Sequence, residues 1–159
     1  MLSELPALLA LGAPGVASYL RLVPSQWAGA YHCWGLENRE AALRLIAGRS
    51  PNAEIKCFDG AATPSLASGG VIAAGLAGIE RGAALPEEVH GDPARSDDPP
   101  PRLPRSLAES LSAFERSDVL REALGDVLHE AVRAVRQGEI DLFAGRSPEE
   151  ITAATRWRY

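Results

Sequence analysis

The chain has 159 residues and a mass of 16.8 kDa, long enough for one domain with a real core. Hydrophobic residues make up 46% and charged residues 23%, a globular balance that excludes a disordered chain. A formal net charge of -5 excludes the basic field that non-specific nucleic-acid binding requires.

The apolar run at residues 2–11 carries Glu4 near its start and no basic flank, unlike a signal peptide. The run at residues 71–79 is too short to cross a bilayer. A cytoplasmic, soluble protein with no membrane partner is the expectation. Cys33 and Cys57 show neither a C-x-x-C spacing nor a histidine pairing, so they read as reduced, buried thiols.

Along the chain, residues 5–11 predict a short apolar helix stopped by Gly12, Pro14 and Gly15. Residues 18–23, 31–36, 42–46 and 54–58 predict strands, aromatic or aliphatic and bounded by glycine or proline. On the last of these, alternation sends Glu54, Lys56 and Phe58 to one face. Residues 64–79 predict a helix of small residues, with Thr63 as its cap and Pro64 in its first turn. Its glycines weaken it in isolation, so it belongs in a core. Residues 91–105, with Pro99, Pro100 and Pro101, predict an extended, exposed connector. Beyond it, Ser106 and Glu109 predict a capping box. Leu120, Leu124, Leu128, Val132 and Val135 mark a second helix, and Ser147-Pro148-Glu149-Glu150 opens a third.

The candidate site residues are cations and one acid. Arg21, Arg39 and Arg44 offer planar forks that suit carboxylates and phosphates. Glu54 offers oxygen to a hard divalent cation, which ordinarily wants more than one such group. Neither a Walker-A loop, a G-x-G-x-x-G nor a G-x-S-x-G elbow occurs, and His32, His90 and His129 lack partners at ligand spacing. From spacing alone, solvated surface arginines and a surface acid are the readier explanation of the same residues.

In order along the chain come Ala13-Pro14, Ser18-Tyr19-Leu20-Arg21-Leu22, Glu37-Asn38-Arg39-Glu40-Ala41 with Arg44, Glu54-Ile55-Lys56, Asp59-Gly60-Ala61-Ala62-Thr63-Pro64 and Ala73-Ala74-Gly75-Leu76-Ala77-Gly78-Ile79. With this series the chain, from about Leu5 to Tyr159, resembles the C-terminal part of the glutamine synthetase catalytic domain. The likeness leans toward the FluG-like branch that also contains γ-glutamyl-polyamine synthetases. The resemblance implies an α+β fold: a few antiparallel strands in residues 1–60, the small-residue helix in 61–90, the proline-rich loop in 91–105 and a helical scaffold in 106–159. It implies ligation of glutamate to ammonia or another amine, driven by ATP with magnesium or manganese, in a homo-oligomer or in association with the missing N-terminal half. Arg21 would grip the carboxylate of glutamate. Arg39 and Arg44 would hold the ATP phosphates and stabilise charge during phosphoryl transfer. Glu54 would ligate the metal, and Lys56 would contact the transferred phosphoryl group or substrate, where the family usually has arginine.

The chain departs from the family pattern in several places. Thr63-Pro64-Ser65 replaces Asn-Pro-Tyr, Ala17 replaces an asparagine, and Pro24-Ser25-Gln26-Trp27-Ala28 carries no acid where a flap glutamate usually stands. The last change favours an amine bulkier than ammonia. The small N-terminal domain and the first half of the catalytic domain have no counterpart, so a truncated or split ligase is expected, inactive alone. A non-catalytic remnant used for subunit association and an unrelated binding domain are the alternatives.

Overall fold

The computed structural model describes residues 1–157; Arg158 and Tyr159, where the family resemblance ends, lie outside the described residues. The apolar start forms α1 (Leu5–Gly12), entered through a 3-10 turn at Leu2–Glu4. Leu5, Leu8, Leu9 and Leu11 are all at most 1% exposed. A helix that is hydrophobic all round has to lie inside the protein, and the other helices are laid around it. Helices α3 (Pro64–Glu80) and α4 (Leu107–Glu115) pack on α1, and α5 (Asp118–Leu142) closes over both.

Close approach explains the small residues of α3. A Cβ at Gly70 would stand 2.7 Å from Leu11 Cδ1 and 3.0 Å from Leu8 Cδ2, so glycine lets the two helices meet. The expectation of a core helix holds only for one stripe, since Ala67, Gly70 and Ala74 are buried while Ile72, Leu76 and Ile79 are exposed.

Residues 18–23 are not a strand. They begin as α2 (Ser18–Arg21), a helical turn in which Ser18, Tyr19 and Leu20 donate to the carbonyls of Gly15, Val16 and Ala17. Burial of Tyr19 requires a partner for its hydroxyl, and the turn delivers it to Ser110 Oγ at 2.5 Å.

The sheet has the order β1 (Tyr31–Leu36), β2 (Ala41–Ile46), β3 (Asn52–Ile55). β2 and β3 pair antiparallel, as expected, but β1 and β2 run parallel. Parallel neighbours ordinarily need a crossover of about a dozen residues; here residues 37–40 suffice. Glu37, with φ 51, starts the reversal, and the returning segment lies on Gly35, whose Cβ would sit 2.8 Å from that of Asn38. Asn38 is buried and fixes the return by donating to Val89 O (2.8 Å) and Gly91 O (2.9 Å) while accepting from Glu40 N.

The strand expected over residues 54–58 stops at Ile55. Phe58 leaves the sheet face and lays its ring against Gly12, where a Cβ would collide with it; Asp59 N donates to Gly12 O at 2.9 Å. The proline-rich loop is also less free than its composition predicts. Its end is stitched to the sheet by His32 N to Pro101 O (2.7 Å) and Leu103 N to Ala30 O (3.0 Å), and Leu103 is buried. Prolines lack a donor but still offer carbonyls, so such a segment can border a strand.

In the C-terminal helices, Ser106 caps α4 through Glu109 N, while the Glu109 carboxylate reaches Arg105 N instead of closing a full box. Ser147 and Glu150 complete the reciprocal box of α6 (Pro148–Thr155). Among the described residues, no helix is long and apolar enough to cross a membrane.

Candidate functional site

The antiparallel register of β2 and β3 sets Arg44 opposite Glu54. One step further, Lys56 N donates to Ala42 O (2.9 Å), so Ala42 and Lys56 form the next pair on the same face. The side chains meet in a row. Arg44 Nη2 lies 2.6 Å from Glu37 Oε2, Arg44 Nη1 3.3 Å from Glu54 Oε2, and Lys56 Nζ 3.7 Å from Glu54 Oε1. The cations are sunk, with side chains 14% exposed, whereas Glu37 and Glu54 are about half open to water. The Arg44 guanidinium, helped by the Ala47 amide, holds the Glu37 carboxyl below the usual carboxylate range, and Glu37 in turn raises Arg44.

This row sums to zero charge, yet it is not saturated. Arg44 Nε is buried and has no acceptor among the described residues. An orphaned buried donor costs about 1–3 kcal/mol, and such a donor is suited to an anionic ligand that reaches it.

The other expected site residues fall elsewhere. Arg39 is exposed on the 37–40 return and makes no hydrogen bond or ion pair among the described residues; its charge acts on Glu37. Arg21 is turned to the backbone: Nη2 donates to Cys57 O and Phe58 O (both 3.1 Å) and Nη1 to Lys56 O (3.5 Å). Those bonds hold the turn that ends the Lys56 side of the row. Thus Arg44, Glu54 and Lys56 come together, Arg39 stands beside them, and Arg21 braces the segment from behind. His32 bonds Leu2 O, and His129 stacks on Phe114 with ring centroids 4.3 Å apart. Cys57 is buried deeply enough that its thiol is pushed up to about 12.

Two features were not expected. Glu37, seven residues before Arg44, is its nearest partner; a charge pair spanning a tight strand return is the signal that would have found it. The second is the loop at residues 23–28. Ser25 (φ 56) and Trp27 (φ 54) both sit in the left-handed region, at about 1–3 kcal/mol each. Ser25 Oγ donates to Asp92 Oδ2 (2.7 Å), and Glu40 Oε1 accepts from Trp27 N (3.0 Å).

A divalent cation does not fit this chain's own donors. Among the described residues no three His, Cys, Asp or Glu side chains cluster, and each oxygen of Glu54 already faces a cation. One carboxylate so engaged falls short of the oxygen set such ions require.

A family model, glutamine synthetase catalytic domain, matches residues 1–154. The chain belongs to the glutamine synthetase family. The gamma-glutamylpolyamine synthetase of Streptomyces coelicolor is 52% identical over all of this chain and 37% of its own length. A novel glutamine synthase homolog superposes with a TM-score of 0.82 at 35% identity, over 99% of this chain and 37% of that one. A GmaS/ADP complex superposes with a TM-score of 0.82 at 26% identity, over 98% and 37%. The chain thus spans little more than a third of the length of each. These matches bear out the expected α+β fold of the family, with a sheet that is mixed where antiparallel strands were expected.

Proposed function

We propose that this chain is the phosphate-binding side of an ATP-dependent γ-glutamyl-amine ligase, with Arg44 as its central residue. In that reaction a glutamate side-chain carboxylate oxygen attacks the terminal phosphorus of ATP and ADP leaves. The amine nitrogen then attacks the acyl carbon, phosphate leaves, and the amine gives up a proton. Such chemistry asks for fixed positive charge more than for covalent participation. The buried, unpartnered Nε of Arg44 is the observation that carries the reading. Glu37 and Glu54 hold the guanidinium in one orientation, the sunken Lys56 and the exposed Arg39 add positive charge beside it, and Arg21 braces the turn that follows Lys56. Glu54, with each oxygen facing a cation, serves this reading as the anchor of Arg44 and Lys56.

A polyamine or similar amine is the favoured acceptor, because the most similar relative described above is a gamma-glutamylpolyamine synthetase. The chain alone is inactive in this reading, and works in the cytoplasm with a partner segment or in a homo-oligomer. The exposed Ile72, Leu76 and Ile79 on α3 favour a second reading, an association module without catalysis.

One chimera separates the two. This chain replaces the matching segment of the Streptomyces coelicolor enzyme, and phosphate release is followed with glutamate, ATP, magnesium and putrescine. Turnover that falls about a hundredfold or more on Arg44→Ala is expected, the scale for removing one charge-stabilising donor. A chimera that assembles but does not turn over, or one indifferent to Arg44→Ala, leaves only the association module.

A further inference from the structure

The guanidinium of Arg44 is unevenly used. Nη1 donates to Glu54 Oε2 (3.3 Å) and Nη2 to Glu37 Oε2 (2.6 Å), while Nε finds no acceptor among the described residues. In any arginine Nε and Nη2 lie on one edge, and a carboxylate or phosphate ordinarily takes both with two oxygens. Glu37 does not. Its second oxygen, Oε1, accepts from Ala47 N (3.0 Å) instead. The Ala47 amide thus competes with Nε for the carboxylate, and the fork is left half made.

A ligand anion that completes the fork has to bring an oxygen to Nη2, the nitrogen that Glu37 already contacts. Two anions then meet on one atom, and one must give way. Nε is also buried, so it is reached only when a neighbour moves. Glu54 is held too firmly for this, because it faces Lys56 as well as Arg44. Glu37 swings out more readily: its side chain is about half open to water, it keeps the Ala47 amide, and the charge of Arg39 acts on it. Its backbone need not follow, since Glu37 N is tied to Leu45 O (2.8 Å). The exchange selects by charge. A carboxylate that replaces Glu37 substitutes one ion pair for another of the same kind and gains little. A phosphate group carries more charge and more acceptor oxygens, so it can take Nε and Nη2 together and repel Glu37 outward.

We propose that Glu37 is a specificity-determining residue, a displaceable counter-ion that reserves the Nε–Nη2 edge of Arg44 for phosphate oxygens and closes it to carboxylates. This deepens the ligase reading, whose two anionic substrates are ATP and glutamate, and rests on it for which of them Arg44 meets.

The 159-residue chain supplies the first test. The Nε–H signal of Arg44, assigned by its loss in Arg44→Lys, and the carboxylate carbon of Glu37, assigned by its loss in Glu37→Gln, are followed by NMR. Pyrophosphate should move both with one midpoint, whereas acetate or sodium chloride at matched ionic strength should move neither. In Glu37→Gln, pyrophosphate should bind about threefold to tenfold tighter, the scale for removing one like charge close to water. Acetate should then move the Arg44 signal as well. Glu54→Gln, which removes the same charge from the anchor, should not tighten binding. An Arg44 signal indifferent to pyrophosphate overturns the proposal, as does a Glu37 carboxylate that stays put while Arg44 moves. Equal tightening in Glu54→Gln, a plain field effect, overturns it too. The second test is kinetic, in the chimera described above. Glu37→Gln should lower KM for ATP about threefold to tenfold and make excess glutamate compete with ATP. An unchanged ATP KM in an active chimera overturns the role of Glu37 and leaves the ligase reading intact. A chimera without turnover sinks the ligase reading, and Glu37 is then judged as a gate on an anion site by the titration alone.

Discussion

The helical layer around α1 and the charged face of the β2–β3 pair are built on opposite physical principles. Around α1, Leu8, Leu9, Phe114 and Leu120 are fully buried, and shape alone decides what fits. On the sheet face, Glu37, Arg44, Glu54 and Lys56 are arranged by ion pairs that remain partly open to water. The first region stabilises the fold; the second carries a cost, notably at Arg44 Nε, a buried donor with no acceptor among the described residues. A substitution in one region should therefore move a different measurement from a substitution in the other.

The sharpest break is Phe114→Ala. Phe114 is fully buried and stacks on His129, which is itself buried and shares a hydrogen bond with Phe114 O. Removing the ring leaves a cavity where α1, α4 and α5 converge, with a loss of about 3–5 kcal/mol. Urea unfolding of the chain measures it. A loss below about 1 kcal/mol would show that the helical layer is not the seat of stability.

Ser147→Ala tests the same layer at its rim. Ser147 and Glu150 exchange hydrogen bonds at the start of α6, at 3.3 and 2.8 Å, on exposed chain. Loss of the cap should cost about 1 kcal/mol. Thermal unfolding should show a small drop in midpoint, and a drop as large as that of Phe114→Ala would place α6 in the core.

The two regions also differ in how far they could be read from sequence. Helix spacing is local, so α1, α3, α4 and α6 follow from short windows, with Ser106 and Ser147 marking starts. Local preference fails where a distant contact overrides it. Residues 18–23 have apolar and aromatic residues fit for a strand, but the hydroxyl of Tyr19 finds Ser110 only if the chain coils. Phe58 continues a strand's alternation, yet the space left by Gly12 draws it to the core. The parallel pairing of β1 with β2 depends on Asn38 lying over Gly35, a contact no periodicity reports. On the charged face, alternation alone puts Glu54 and Lys56 on one side of the strand, whereas Arg44 opposite Glu54 follows from the strand register and not from either strand's pattern. The Arg44 partner Glu37 and the donors of Arg21 turned to carbonyls follow from no such pattern, because both depend on how turns close.

The smallest expected effect concerns the charged face alone. Glu37 has a folded-state carboxyl depressed below its ordinary value of 4.5 by Arg44 and the Ala47 amide. A depressed carboxyl contributes stability above its unfolded value, and that contribution is lost as pH falls through the folded value. Asp92, held low by Ser25 and Ala94 N, and Glu130, held low by Arg133, act in the same direction. Total acid sensitivity therefore cannot isolate Glu37, but a difference between proteins can. Glu37→Gln should lower the thermal midpoint slightly at about pH 6, and the gap from the unaltered chain should close as the pH approaches 3. Because Glu37 is half open to water, about 1 M salt should narrow the gap as well. A gap that ignores both pH and salt would mean that Glu37 acts through packing, and the charged face would then differ from the helical layer less than its ion pairs imply.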